Sequence, residues 1–311
     1  MVISTVTLNP AVDKTYYVNG FLSDTVNRSW KSMTNIGGKG INISKGAKIC
    51  GYDSVASGFL AGSNGRFIED TLKNSGISTD FVYISGETRV NIKIADPDAG
   101  SFTDINDCGP APTDGELKAL FEKVCAISQK SDIVHFGGSI QPELSQGLYN
   151  ELILIAKENG AKTVLDAGGK ALFEGIKARP TIIKPNQFEL EEMVGTPLKS
   201  LPDILGAAKD IFDAGIENVL VSLGGNGALA VTGEGVFRAY PLNVLVESTV
   251  GAGDSFLLGY IHGMLSGVDV AQSLKFATSF SAAKIQCEGT VFPTFSEFTG
   301  AVDSVMVEKI G

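Results

Sequence analysis

The chain has 311 residues, 43% of them hydrophobic, and a mean hydropathy of +0.15, enough apolar content to bury a large core and too much for a disordered chain. A formal net charge of −10 excludes the broad basic surface that nucleic acid or an anionic membrane would need in a partner. No apolar run approaches the ~20 residues of a membrane span, and the start Met1-Val2-Ile3-Ser4-Thr5-Val6 lacks the basic region of a signal peptide, so a cytoplasmic protein is expected.

In chain order, apolar β-branched runs alternate with amphipathic stretches, the pattern of a mostly parallel sheet with helices on both faces. A strand at Val2 to Thr7 comes first, followed by a stretch, 14–34, with alternating residues such as Tyr17 and Val18 and no helix. A helix at 41–51 then turns Ile41, Ala47 and Ile49 toward a core, and another fills 65–75. Residues 87–107 alternate again, through Val90, Ile92, Ile94 and Phe102. Together with 14–34 they are expected to form one antiparallel flap. Helices follow at 114–128, 146–159, 187–194, 204–214, 255–265 and 270–285, interleaved with strands at 132–136, 163–166, 182–184 and 218–222. With no repeat, heptad or low-complexity linker, residues 1–311 read as a single α/β domain carrying a lid.

Cys50, Cys108, Cys125 and Cys287 are scattered, without a C-x-x-C pair or a disulfide framework, and read as buried thiols. His135 and His262 have no companion at metal-ligand spacing and read as packing or hydrogen-bonding residues.

Two glycine clusters carry the chemistry. Ser248-Thr249-Val250-Gly251-Ala252-Gly253-Asp254-Ser255-Phe256 places a carboxylate at the mouth of an apolar helix. Gly251 and Gly253 let backbone N–H groups face outward, where the dipole of the following helix adds to an anion site. An anion and a base in one corner suit phosphoryl transfer, although an ordinary strand-to-helix turn with Asp254 in the first helical turn fits the same residues. Asn35-Ile36-Gly37-Gly38-Lys39-Gly40-Ile41-Asn42 also opens a helix and puts Lys39 and Asn42 beside exposed amides. Neither cluster is a G-x-x-x-x-G-K-[ST] loop, and no G-x-G-x-x-G follows a strand.

Both clusters, in this order, resemble those of the ribokinase-like (PfkB-type) sugar kinases. The likeness extends to Thr7-Leu8-Asn9-Pro10-Ala11-Val12-Asp13, Thr88-Arg89-Val90-Asn91-Ile92-Lys93 and Lys184-Pro185-Asn186-Gln187-Phe188-Glu189. Within the family, these motifs are most similar to the 1-phosphofructokinase and tagatose-6-phosphate kinase branch, with the minor 6-phosphofructokinase close behind. The resemblance implies a ribokinase-like fold, a β-lid over the sugar that often carries a dimer contact, and ATP and Mg²⁺ as partners of a sugar phosphate.

Carried over residue by residue, it places the sugar at Asp13, expected just past the end of the first strand, and at Gly38, Lys39 and Asn42, where Asp13 could equally be a turn acid and Asn42 a packing residue at a helix start. Arg89 grips the sugar's phosphate as a planar fork. Arg28 and Lys93 assist, or stand as solvated charges, and Ser139 adds a hydroxyl. The resemblance puts the nucleotide at Lys184, Asn186, Glu189, Ser222, Gly224 and Gly227. Lys184 faces phosphate, while Asn186 and Glu189 act on hydrated Mg²⁺ that is itself held by the ATP phosphates. The last pair could also be a helix capping box, and 222–227 a bare hairpin turn. Small residues at 277–283 are expected to form the adenine wall. Asp254 then acts as the base while the Gly251-Ala252-Gly253 amides hold the transferring phosphoryl.

Overall fold

Strand β1 (Val2–Thr7) is buried at five of its six residues, so it lies inside a sheet covered on both faces. The computed structural model describes residues 1–311, in this order: β1, β2 (Ala11–Tyr17), β3 (Lys31–Gly37), α1 (Lys39–Ile49), β4 (Asp53–Ala61), α2 (Gly62–Asn74), β5 (Ser78–Ile84), β6 (Val90–Asp96), β7 (Ser101–Ile105) and α3 (Asp114–Ser128). The chain continues through β8 (Ile133–Gly137), α4 (Leu148–Glu158), β9 (Lys162–Asp166), α5 (Gly169–Gly175), β10 (Ile182–Ile183), α6 (Gln187–Val194), α7 (Leu201–Asp213) and β11 (Asn218–Ser222). It ends with β12 (Ala228–Thr232), β13 (Gly235–Ala239), α8 (Ala252–Leu265), α9 (Val270–Ile285), α10 (Phe295–Thr299) and β14 (Val307–Lys309).

The large sheet has ten strands in the order β14-β13-β12-β11-β10-β9-β8-β1-β4-β5. It is parallel from β5 to β11 and antiparallel at the β12–β14 end. Side chains alternate between two cores. Val6, Leu165, Ile183 and Val219 face one side with Leu120, Leu152 and Ile211 of the helices. Ile3, Val164, Ile182 and Leu220 face the other with Ile43, Leu257 and Phe280. Each such fully buried side chain contributes about 1.5–3 kcal/mol, which is why these strands read as continuous apolar runs.

The smaller sheet, ordered β3-β2-β6-β7, is the lid expected from the alternating stretches. β2 pairs antiparallel with β3, and β6 with β7, as expected of the flap, while β2 and β6 meet in a parallel seam. Its outer strand β7 is exposed throughout. Glu288, beyond α9, ties the lid to the body: it accepts from Tyr17 Oη at 2.9 Å and pairs with Lys31.

The expected helices 114–128, 187–194 and 270–285 coincide with α3, α6 and α9. Others start earlier than the apolar period suggests. α7 begins at Leu201 because Ser200 and Asp203 form a capping box with Pro202 in the first turn. Strands β4 and β5 and the antiparallel strands β12 to β14 were not expected. β4 (Asp-Ser-Val-Ala-Ser-Gly-Phe-Leu-Ala) mixes small and polar residues with its apolar ones, which blurs the period.

The thiols differ from expectation as well: Cys108 is exposed and the other three are half-buried. No helix is long and apolar enough to cross a membrane.

Candidate active site

At the C-terminal rim of the large sheet, β1, β8, β10 and β11 release loops around a cleft of about 550 Å³, the place where a parallel sheet offers ligands its loops. The N-termini of α1 and α8 close it. Of the expected site residues, Gly38, Lys39, Asn42, Arg89, Ser139, Lys184, Asn186, Glu189, Ser222, Gly251, Gly253 and Asp254 all line this cleft, though they lie up to 216 positions apart in sequence (38 to 254).

Gly251 is the N-cap of α8 with φ 76, a left-handed conformation that favours glycine. That turn leaves the amides of Gly251, Gly253 and Asp254 without an acceptor in the chain. Ala252 differs from expectation, because its N–H turns back to Thr249 O at 3.3 Å. Asp254, three residues into the helix, is buried. Asn42 Nδ2 donates to its Oδ2 at 2.7 Å, so Oδ1 remains free to accept. Burial, then the neighbouring Asp166, push its carboxyl above the usual carboxylate range.

Asp166, at the end of β9, went unnoticed in the sequence, yet it anchors two of the lysines that line the cleft. Its side chain is fully buried. Lys39 Nζ lies 2.7 Å from Oδ1 and Lys184 Nζ 3.5 Å from the same oxygen, while Oδ2 has no partner. Burial opposes ionisation here, but the two lysines outweigh it and hold the carboxyl at about 2. In turn, Asp166 and Asp254 overcome the burial of Lys39 and keep its ammonium above the ordinary lysine range. An acid ending the run Thr163-Val164-Leu165-Asp166 was the available signal. His135, fully buried in β8 with both ring nitrogens unpartnered, is pushed down to about 4, chiefly by burial.

Arg89 spends part of its fork on the chain: Nε and Nη2 donate to Asn9 O at 3.2 and 2.9 Å, and Nη1 to Asp107 O at 3.0 Å. Two of its five N–H bonds stay free for an anion. Asn186 and Glu189 form the capping box of α6, each side chain accepting from the other's backbone N–H at 2.8 Å. Glu189 Oε1 has no partner, and both residues still line the cleft.

Asp13 lies in β2 of the lid instead of at the end of β1, in register with Asn35 of β3 and Asn91 of β6. Asn91 Nδ2 donates to it at 3.0 Å, and burial pushes its carboxyl up. All three line a second cavity of about 940 Å³ between lid and body, and Val250 borders both cavities.

Arg28 is not brought in. It sits exposed on the loop between β2 and β3, lining neither cavity. Lys93 pairs with its register neighbour Asp104 at 3.4 Å across the lid. Gly224 and Gly227 form the turn of the β11–β12 hairpin, outside the cleft. Residues Ala277, Phe280 and Ala283 pack into the core that α9 shares with α8. Small residues are needed there because Gly259 meets the backbone at Phe276 and Ala277. Thr7 and Asn9, inside a motif noticed only for Asp13, do line the cleft. No group of three His, Cys, Asp or Glu side chains could hold a metal ion by itself.

The pattern of the pfkB family of carbohydrate kinases matches residues 6–296. The chain is 36% identical over 282 residues to 1-phosphofructokinase of Bacillus subtilis (strain 168), covering 90% of this chain and 91% of that protein. It is 33% identical over 281 residues to tagatose-6-phosphate kinase of Staphylococcus epidermidis, covering 89% and 90%. The crystal structure of phosphofructokinase-2 from Escherichia coli in complex with substrates and products superposes with a TM-score of 0.91 at 26% identity, covering 98% of this chain and 99% of that one.

Proposed function

Because the chain belongs to the pfkB family of carbohydrate kinases, we propose that it transfers the γ-phosphoryl group of ATP to the free primary hydroxyl of a ketohexose phosphate, converting fructose 1-phosphate to fructose 1,6-bisphosphate. The observation that carries this reading is Asp254: a buried carboxylate with one free oxygen, set in the same turn as three amides that have no acceptor.

In this reading the sugar hydroxyl faces Asp254 Oδ1. As its oxygen bonds to the γ-phosphorus and the bond to the ADP oxygen breaks, the hydroxyl proton passes to Asp254 and the charge leaves on ADP. The amides of Gly251, Gly253 and Asp254 hold the transferring phosphoryl oxygens. Lys39 and Lys184, which neutralise Asp166 before substrate arrives, turn their remaining N–H bonds to the phosphates. Asp13, Asn35 and Asn91 orient the sugar from the lid, and the two free N–H bonds of Arg89 take its phosphate. Closure of the lid excludes water. Mg²⁺, when bound, neutralises charge on the phosphate oxygens. The unpartnered oxygens Asp166 Oδ2 and Glu189 Oε1 fit it, as second supports to the nucleotide's own oxygens.

Tagatose 6-phosphate or fructose 6-phosphate is the second reading, favoured by the 33% identity to a tagatose-6-phosphate kinase. Residues 1–311 act as one α/β domain with its lid. Exposed Trp30, Phe102 and Ile105 on the lid suit a homodimer contact, and the four free cysteines suit the cytoplasm. ADP release measured over fructose 1-phosphate, fructose 6-phosphate, tagatose 6-phosphate, ribose and adenosine tests the proposal. Fastest turnover with fructose 1-phosphate is expected. Preference for ribose or adenosine, or no ADP release at all, would overturn it in favour of a nucleoside-type kinase or a non-catalytic sugar-phosphate sensor.

A further inference from the structure

Lys284, in the last turn of α9, is a fully buried lysine. Its Nζ donates to Gly289 O at 2.7 Å, the one hydrogen bond it makes, so two of its three N–H bonds are unspent. The Phe292 ring lies 5.9 Å from Nζ, and a second lysine, Lys45, stands over the same ring at 5.0 Å. Taking an ammonium out of water costs several kcal/mol unless charges nearby compensate, and no carboxylate is paired with this one.

What it lies behind is the catalytic turn. A Cβ on Gly251 would stand 3.3 Å from Lys284 Cε. The next residue in the chain, Ile285, accepts through its carbonyl from the N–H groups of Glu247 and Ser248 at 2.8 and 3.1 Å. Ile285 therefore ties down residues 247 and 248, while its neighbour Lys284 lies against Gly251 at the other end of the same segment. Burial pulls the ammonium below the ordinary lysine range, Cys287 beyond α9 and Asp254 on α8 act against that, and Lys45 on α1 is the like charge nearby.

We propose that Lys284 is a positioning residue for phosphoryl transfer: a fixed cation behind the Gly251 turn that keeps its free amides aimed at the transferring group and adds its positive charge to theirs. The inference rests on the phosphoryl-transfer reading above. A donor aimed at developing charge acts on the transition state more than on the bound substrate, so Lys284 governs kcat and leaves the KM for the sugar phosphate alone.

The test compares the parent protein with Lys284→Gln and Lys284→Met in the ADP-release assay. Rates are expressed per ADP-binding site counted by calorimetry, and melting curves are recorded for each. Gln keeps an N–H for Gly289 O without the charge; Met keeps the stem alone. Loss of the charge is expected to lower kcat by about ten- to hundredfold in the Gln variant. The Met variant falls at least as far, and the sugar KM stays within about threefold in both. A Gln variant with kcat per site within about twofold of the parent, or a loss confined to the sugar KM, overturns the proposal. Failure of both variants to fold assigns Lys284 to the core alone and overturns it too. A parent protein inactive on every substrate overturns both this inference and the function it rests on, whereas an active parent with equally active variants overturns the inference only.

Discussion

The proposed role of Asp254 as the base has a cost to the fold. Burial and Asp166 push its carboxyl up, so at neutral pH the folded state holds an ionised group it disfavours. Asp254→Asn keeps the shape and the contact with Asn42, and is expected to lower kcat by about 10²–10⁴-fold, the range for a positioned base. The melting temperature should rise or hold, although the lost dipole interaction at a helix start alone would lower it. Kinetics and a melting curve on one preparation check both; activity within a few-fold of the parent would give the proton to another group. In the parent, the acid limb of kcat should sit above the ordinary aspartate value and be absent from the Asn variant. For Arg89→Ala, removal of a charge-assisted contact should raise the KM for the sugar phosphate by the equivalent of about 1.5–3 kcal/mol while the KM for ATP stays put. An equal rise in both would make Arg89 only a brace for Asn9 O and Asp107 O. Asp254, Lys39 and Arg89 were legible because each sits in a short motif. Asp166 was not, since its meaning comes from Lys39 and Lys184, which reach it from α1 and from the end of β10.

At the scale of elements, helix starts do double work. The Asn186–Glu189 capping box both begins α6 and puts Glu189 Oε1 at the cleft. Glu189→Gln can keep the box, so its melting temperature should match the parent's while the Mg²⁺ concentration for half-maximal activity rises several-fold. Glu189→Ala loses the box as well and should cost a further ~1 kcal/mol of stability. A Gln variant with an unchanged Mg²⁺ requirement would confine Glu189 to capping. Helices with a strong cap or a long apolar period, such as α3 and α9, were legible to the residue. β12 to β14 were not, because these short antiparallel strands are specified by pairing with neighbours more than by their own pattern. The same limit placed Asp13 at a strand end when it belongs to β2, where its rung with Asn35 and Asn91 exists only once three lid strands align.

For the whole molecule, the parallel sheet and the lid followed from the alternation of apolar runs, whereas the buried charges beneath the rim did not. They set the response to acid. His135 titrates at about 6.5 when unfolded but only at about 4 in the fold, so its contribution to stability is complete above the higher value and is lost as pH falls between the two. Asp166, held at about 2, adds a second loss only below the ordinary carboxylate range. The melting temperature should therefore begin to fall below about pH 6.5, and His135→Leu should flatten that first decline; an unchanged slope would move its origin elsewhere. The rim itself has a kinetic consequence. Its parts come from Thr7, Lys39, Arg89, Asp166, Ser222 and Asp254, so nearly the full length of chain must be in register before any of it exists, and such distant pairings form slowly. On refolding from denaturant, helical circular dichroism should return first, and the capacity to turn over substrate only with the slowest phase.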